Sequence, residues 1–365
     1  MTALSILLVG TSGAVGLLPG ESIVRDPVTG NYTAIARTED DNGNGRLEKS
    51  ILVTATNIAP NVRSRINLHK DWSVGYQYRI SNSKLAKQSI IDFDLYGLPL
   101  NTRILNTDKV SNSDNSFSIV FYTFGMQSPA NTCWYAAGAS NGQTTNLGWN
   151  CDTADQTING FNTTLGIAPG DTQSGFGFAS LDLPGVFTAK LVGNTKYHDF
   201  SYNGYLDFEK SGMAHQLAEI VENDNIPHNI AAPLITVPTP FDPTIVLNNL
   251  RTHVATWPSK QLADAALITQ LDAELVATAN AYRTNQPQVA RDHIEILLDL
   301  IRREHKDIDQ DDEDEHDNKR GEKDRERKAT AQPIRLDRLA ARVLDFDLKY
   351  VLKRMKKDDD EHKKH

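Results

Sequence analysis

Five prolines between positions 227 and 243 (Pro227, Pro233, Pro238, Pro240 and Pro243) constrain this chain more than any other feature. A proline ring fixes φ and removes the N–H donor, so this density forbids helix interior and favours an extended linker. The apolar pattern changes across it. Before it, short β-branched and aromatic runs alternate with polar, glycine-rich turns; after it, apolar residues recur at helical spacing. The expectation is a multidomain chain, β then α: an antiparallel β-sandwich over 20–226, a linker over 227–243 and a small helical bundle over 244–355. A charged insert at 302–330 interrupts the bundle, and a charged tail occupies 356–365.

Within the β half, residues 32–37, 51–55, 76–80, 90–95 and 117–122 read as strands. In the segment 167–186, Pro169-Gly170 and Pro184-Gly185 are turn dipeptides. Between them Phe176, Phe178 and Ser180 alternate with Gly175, Gly177 and Ala179. One face of that strand carries rings, and the other is bare backbone that something can approach closely. Residues 40–47 contain an Asp-x-Asn-x-Asn-Gly pattern that resembles the first half of a calcium loop. Its twelfth position is Ile51 where a bidentate carboxylate is needed, so an Asn-Gly hairpin turn is the better reading.

The chain has 365 residues and a formal net charge of -9. That sign argues against a general nucleic-acid binder, and no apolar run after the N-terminus is long enough to span a membrane. Residues 1–19 read as a signal-like or truncated leader. Gly10, Gly13 and Gly16 are similar to a dinucleotide-binding loop, but Pro19-Gly20 leaves no room for the helix such a loop must open. The two cysteines, Cys133 and Cys151, lie in one polar segment. In an oxidising compartment they close a disulfide loop worth about 3 kcal/mol. No zinc site is expected, because two thiolates lack the four-ligand set, and no cofactor is expected elsewhere.

The segment 129–152 also carries the candidate ligand-binding residues Trp134, Tyr135 and Trp149. Exposed aromatic rings on a β-sandwich can stack on sugar rings, which makes a polysaccharide or cell-surface polymer the expected partner. The competing reading has the tryptophans plugging the core beside the cysteines. Gly138-Ala139-Ser140-Asn141-Gly142 matches the G-x-S-x-G pattern of serine hydrolases, without the strand before the serine and the helix after it that a nucleophile elbow needs. A runner-up reading is a secreted hydrolase; Asp92 and Asp94 share one strand face, but alternating Asp is also the ordinary pattern of a half-buried strand, so no catalytic pair is named. A third reading is a structural interaction module.

After the linker four helical stripes follow. They are Val246, Leu250, Val254 and Trp257; then Leu267, Leu271, Leu275, Thr278 and Tyr282; then Val289, His293, Ile296, Leu297, Leu300 and Ile301; then Leu336, Leu339, Val343, Phe346, Tyr350 and Val351. His293, without a partner at i+4, reads as a core-boundary histidine. The acidic run 307–317 reads as a solvated block, with Asp309, Asp311, Asp312, Asp314 and His316 as a cation-binding alternative.

The segments 267–272, 290–298 and 336–344 resemble a FIMAH domain, a helical module of secreted and surface bacterial proteins, over about 243–355. That resemblance implies an extracytoplasmic, attachment-like role and brings no catalytic residues. The segments 76–82, 167–170, 174–176 and 183–185, with Trp134, are similar to the N-terminal domain of uncharacterised exported bacterial proteins. The leading expectation is thus a secreted, non-catalytic binding or attachment protein.

Overall fold

The computed structural model describes residues 16–39, 45–53, 55–99, 102–105, 129, 135–140, 144–151, 166–193, 212–260, 262–305 and 335–362. Three antiparallel sheets are followed by helices, the broad order read from the sequence. The first sheet is β1 (Ser22–Arg25), β2 (Tyr32–Glu39) and β3 (Gly45–Val53), in that order. Glu39 pairs with Gly45 at the end of the antiparallel β2–β3 ladder, and residues 40–44, where the Asn-Gly turn is expected, lie outside the described residues. Met213 and Leu217 of α1 (Met213–Asn223) pack on Ala34 and Ala36 of β2 in a small core of their own.

The second sheet has the order β4 (Pro60–Leu68), β5 (Val74–Asn82), β10 (Thr172–Ser180), β7 (Ile104–Leu105). The third has the order β12 (Ile226–Ile235), β11 (Leu183–Gly193), β6 (Ile90–Pro99), β9 (Thr144–Asn150), β8 (Tyr135–Ser140). These two sheets meet across an aromatic cluster. Tyr78, Phe176 and Phe178 of one lie against Phe93 and Trp149 of the other, with Phe93 stacked on Trp149 at 5.2 Å. The buried phenols are satisfied: Tyr76 Oη donates to the Asp182 carbonyl and Tyr78 Oη to that of Ala231, both at 2.8 Å. The strand expected at 117–122 lies outside the described residues.

Two proline readings are corrected. Residues 227–235, placed in a linker by their prolines, belong to β12 (Ile226–Ile235), which among the described residues is an edge strand paired to β11 on one side only. The parity of its backbone explains this. The Ala231 N–H points away from β11, to Ser64 Oγ on β4 at 3.0 Å. Pro227 and Pro233 share that outward parity, so their missing N–H groups cost no ladder bond. Pro184-Gly185 is likewise inside β11 and not in a turn. Glycine is required at 185 because a Cβ there would lie 2.7 Å from His253 Nε2 and 2.9 Å from Leu234.

The helices are α2 (Pro243–Val254), α3 (Ala265–Arg283), α4 (Pro287–Glu304) and α5 (Arg338–His362), one where each stripe was expected. Asp242 and Asp264 cap α2 and α3 through the N–H groups of Thr244 and Leu267, and Pro243 and Pro287 open helices where no donor is needed. The α4 stripe is rotated from the expected one: Ala290, Ile294, Leu297, Leu298 and Ile301 are buried, while Val289 and Ile296 are exposed. Helix α5 buries Ala340, Ala341, Val343, Leu344, Leu348, Val351 and Met355 in the same continuous core as the two larger sheets. No helix among the described residues is long and apolar enough to cross a membrane.

His253 joins α2 to β11 as an acceptor, taking the Val186 N–H on Nε2 at 3.0 Å. Burial, helped by the charge of Lys260, lowers its pKa from 6.5 to about 4. The folded pKa lies below the unfolded one, so the unfolded chain binds the proton first. The stabilisation is complete above pH 6.5 and is lost as the pH falls through 4, up to about 3 kcal/mol in all. An NMR titration should give His253 a midpoint near 4; a midpoint near 6.5 would contradict its neutral acceptor role.

Candidate functional site

The expected aromatic site does not assemble as read. Trp149 is fully buried, on the inner face of β9 between Phe93 and the phenylalanines of β10. It therefore fills core volume and offers no face to a sugar, which corrects its place as a ligand-binding residue. Tyr135 begins β8 opposite Asn150; its side chain, Trp134 and Cys133 lie outside the described residues. Cys151 is buried just after β9, and its Sγ accepts the Gly166 N–H at 3.0 Å. Ser140 sits in strand β8, not on the sharp strand-to-helix turn of a nucleophile elbow.

Asp92 and Asp94 flank Phe93 on β6, so both project from the face opposite the aromatic core. Asp94 pairs across the sheet with Lys190 and Gly148. Burial raises its carboxyl pKa to about 6, against the pull of Lys190. His293 packs between α3 and α4, with Nδ1 2.7 Å from Glu274 Oε2. Among the described residues no three His, Cys, Asp or Glu side chains gather as a metal ion needs. The acidic run 307–317 lies outside those residues.

What the fold does build is a groove of about 580 Å³ where β4, β11 and β12 meet the first turn of α5. Edge strands β4 and β12 run side by side without a backbone ladder, and side chains close the gap. Ser64 Oγ accepts the Ala231 N–H, and His228 Nε2 accepts the Val62 N–H at 3.2 Å. Burial holds His228 below its ordinary pKa, which suits a neutral acceptor ring. Arg342 of α5 spans the join and donates to the Ser64 carbonyl at 3.0 Å.

The first turn of α5 is held in place from both directions. Asp337 takes the N–H groups of Leu339 and Ala340 on one oxygen, at 2.9 and 3.2 Å. Its own N–H donates to the Leu262 carbonyl at 2.6 Å. Arg335, just before it, bonds Asp264 and Glu304. Arg63 of β4 and Arg338 of α5 are exposed and line the groove together with Asn229 and Thr188. Thr188 Oγ1 donates to Asn229 Oδ1 at 3.1 Å, so the Asn229 amide presents its NH2 as the remaining polar group.

Sequence reasoning missed this site because its residues come from four separate segments, and an arginine on an edge strand reads as ordinary solubility. One usable signal was the even spacing of Pro227 and Pro233, which marks an outward-facing strand edge. Compared with family models and with curated proteins, the chain matches none.

Replacing Trp149 with alanine should cost about 3–5 kcal/mol of stability through the cavity it opens. Urea denaturation checks this; a loss below about 1 kcal/mol would contradict its place in the core.

Proposed function

We propose that this chain is an extracytoplasmic, non-catalytic binding or attachment protein for a polysaccharide or cell-surface polymer. The carrying observation is the groove between α5 and the β4–β12 edge, open to solvent and lined by polar side chains on rigid elements. A polymer needs a site that it can cross without threading an end, and an open groove between strands and a helix provides one. The resemblance of 243–355 to a FIMAH domain supports the attachment role. The aromatic cluster between the two larger sheets supports reading them as a β-sandwich, and the packed stripes of α2 to α5 support the bundle. Export to an oxidising compartment carries with it the pairing of Cys133 with Cys151.

A second reading, a secreted hydrolase, is favoured by Asp94 alone. A carboxyl held at about 6 has the proton affinity of a general acid. A hydrolase also needs a second carboxylate across the scissile bond, and Asp92 stands on the same strand instead.

The full chain, incubated with a panel of neutral and acidic polysaccharides, should be retained by at least one. Asn229→Trp, which places a ring in the groove from an exposed position, should weaken that retention at least tenfold while leaving the unfolding midpoint unchanged. Retention untouched by Asn229→Trp would place the site elsewhere, and no retention on any polymer would contradict the proposal. Release of reducing ends from the retained polymer, abolished by Asp94→Asn, would favour the hydrolase.

A further inference from the structure

We infer, resting on the polymer-binding reading above, that acid gates the groove: neutral His228 latches β4 to β12, and its protonation parts the two edges and releases the polymer. The join between these strands depends on the ring. Strands β4 and β12 belong to different sheets and share no backbone ladder among the described residues. Across the gap, the Val62 N–H donates to His228 Nε2 at 3.2 Å and the Ala231 N–H to Ser64 Oγ at 3.0 Å. A hydroxyl accepts at any ordinary pH. An imidazole accepts only while neutral, because both ring nitrogens of the charged form carry protons.

Loss of the first bond has a structural consequence. Val62 is buried, so its N–H needs an acceptor. With His228 protonated, water is the substitute, and water reaches Val62 only if the edges separate. Val62 and His228 both line the groove, whereas Ala231 is fully buried and outside that lining. There Ser64 Oγ and the Tyr78 phenol, which donates to the Ala231 carbonyl at 2.8 Å, hold β12 in place. Opening is thus confined to the His228 end, with Ala231 as the fixed point.

The charged groups around the ring do not replace it as the trigger. Arg63 of β4, with Asp337, Arg338 and Arg342 at the start of α5, lines the same groove. Arginine does not titrate in this range, and Asp337 accepts two N–H groups of α5. On β11, His228 pairs with Ala189, so the next residue, Lys190, lies on the opposite sheet face with its partner Asp94. Burial holds the His228 pKa below 6.5, which keeps the latch closed at neutral pH. Because the folded pKa lies below the unfolded one, the latch contributes fully above pH 6.5 and is lost as the pH falls through the folded pKa.

The test follows the full chain as the pH is lowered from about 7.5 to about 4. By NMR, the Val62 amide shift should follow the His228 ring with one midpoint. Below that midpoint Val62 should lose protection from hydrogen exchange, corrected for its intrinsic pH dependence, while Ala231 keeps it. Hydroxyethylcellulose, dextran and galactomannan serve as polymers with no titrating group. Retention of any that binds at neutral pH should weaken by up to about tenfold per pH unit below the His228 midpoint. His228→Gln, whose amide oxygen accepts the Val62 N–H without titrating, should abolish both pH responses; if that variant fails to fold, the wild-type amides decide. A response that survives His228→Gln, a Val62 shift that ignores the His228 titration, or joint loss of protection at Val62 and Ala231 would overturn the gate. A polymer retained equally at every pH would overturn the gate alone. If no polymer is retained while Val62 follows His228, the latch stands and the polymer-binding reading fails.

Discussion

The burial of one face of α5 is the interaction on which the rest of the structure depends. Its residues Leu344, Leu348 and Val351 are fully or almost fully buried in a core that also holds Tyr76, Phe93 and Trp149 from the sheets and Leu271 and Ile294 from α3 and α4. At about 1.5–3 kcal/mol per buried aliphatic side chain, that face contributes more than any polar contact in the molecule. It also forces an unusual group inside. Asp347 is fully buried on α5, and burial raises its carboxyl pKa well above the ordinary range. The apolar contacts of α5 offset the cost of enclosing it.

Because α5 is fixed by its core face, its first turn is fixed as well, and the groove follows. Arg342 reaches the Ser64 carbonyl only with the helix seated against β4 and β12. Farther along the helix, the Arg354 guanidinium lies between the rings of Trp72 and Phe241, at 4.7 and 4.6 Å from their centroids. Polar and cation–π contacts at both ends thus set the direction of a helix whose binding energy is apolar. The groove is a by-product of how the helices close the sheets, so anything that filled it would touch both halves of the chain at once.

The order β then α and all four C-terminal helices were legible in the sequence, because amphipathic periods of this length admit few alternatives. The fate of particular residues was not. Trp149 and an exposed sugar-stacking tryptophan have the same local sequence signature; what separates them is the sheet opposite, which brings Phe176 and Phe178 from far along the chain. Proline density says only that a helix is forbidden, and the parity that makes Pro227 and Pro233 harmless in an edge strand depends on where β4 lies. Pro184-Gly185 read as a turn, yet Gly185 serves the close approach of His253 from a helix about seventy residues later. Ser64, His228 and Arg342 line one groove only through tertiary contact.

The two larger sheets and helices α2 to α5 share one core and are not two modules joined by a linker. Equilibrium urea unfolding of the full chain, followed at once by far-ultraviolet circular dichroism for the helices and by near-ultraviolet dichroism for the packed aromatic cluster, tests it directly. A shared core predicts coincident transitions that shift together in Leu348→Ala. Helical signal lost at lower urea, with the aromatic signal intact and unmoved by Leu348→Ala, would contradict it.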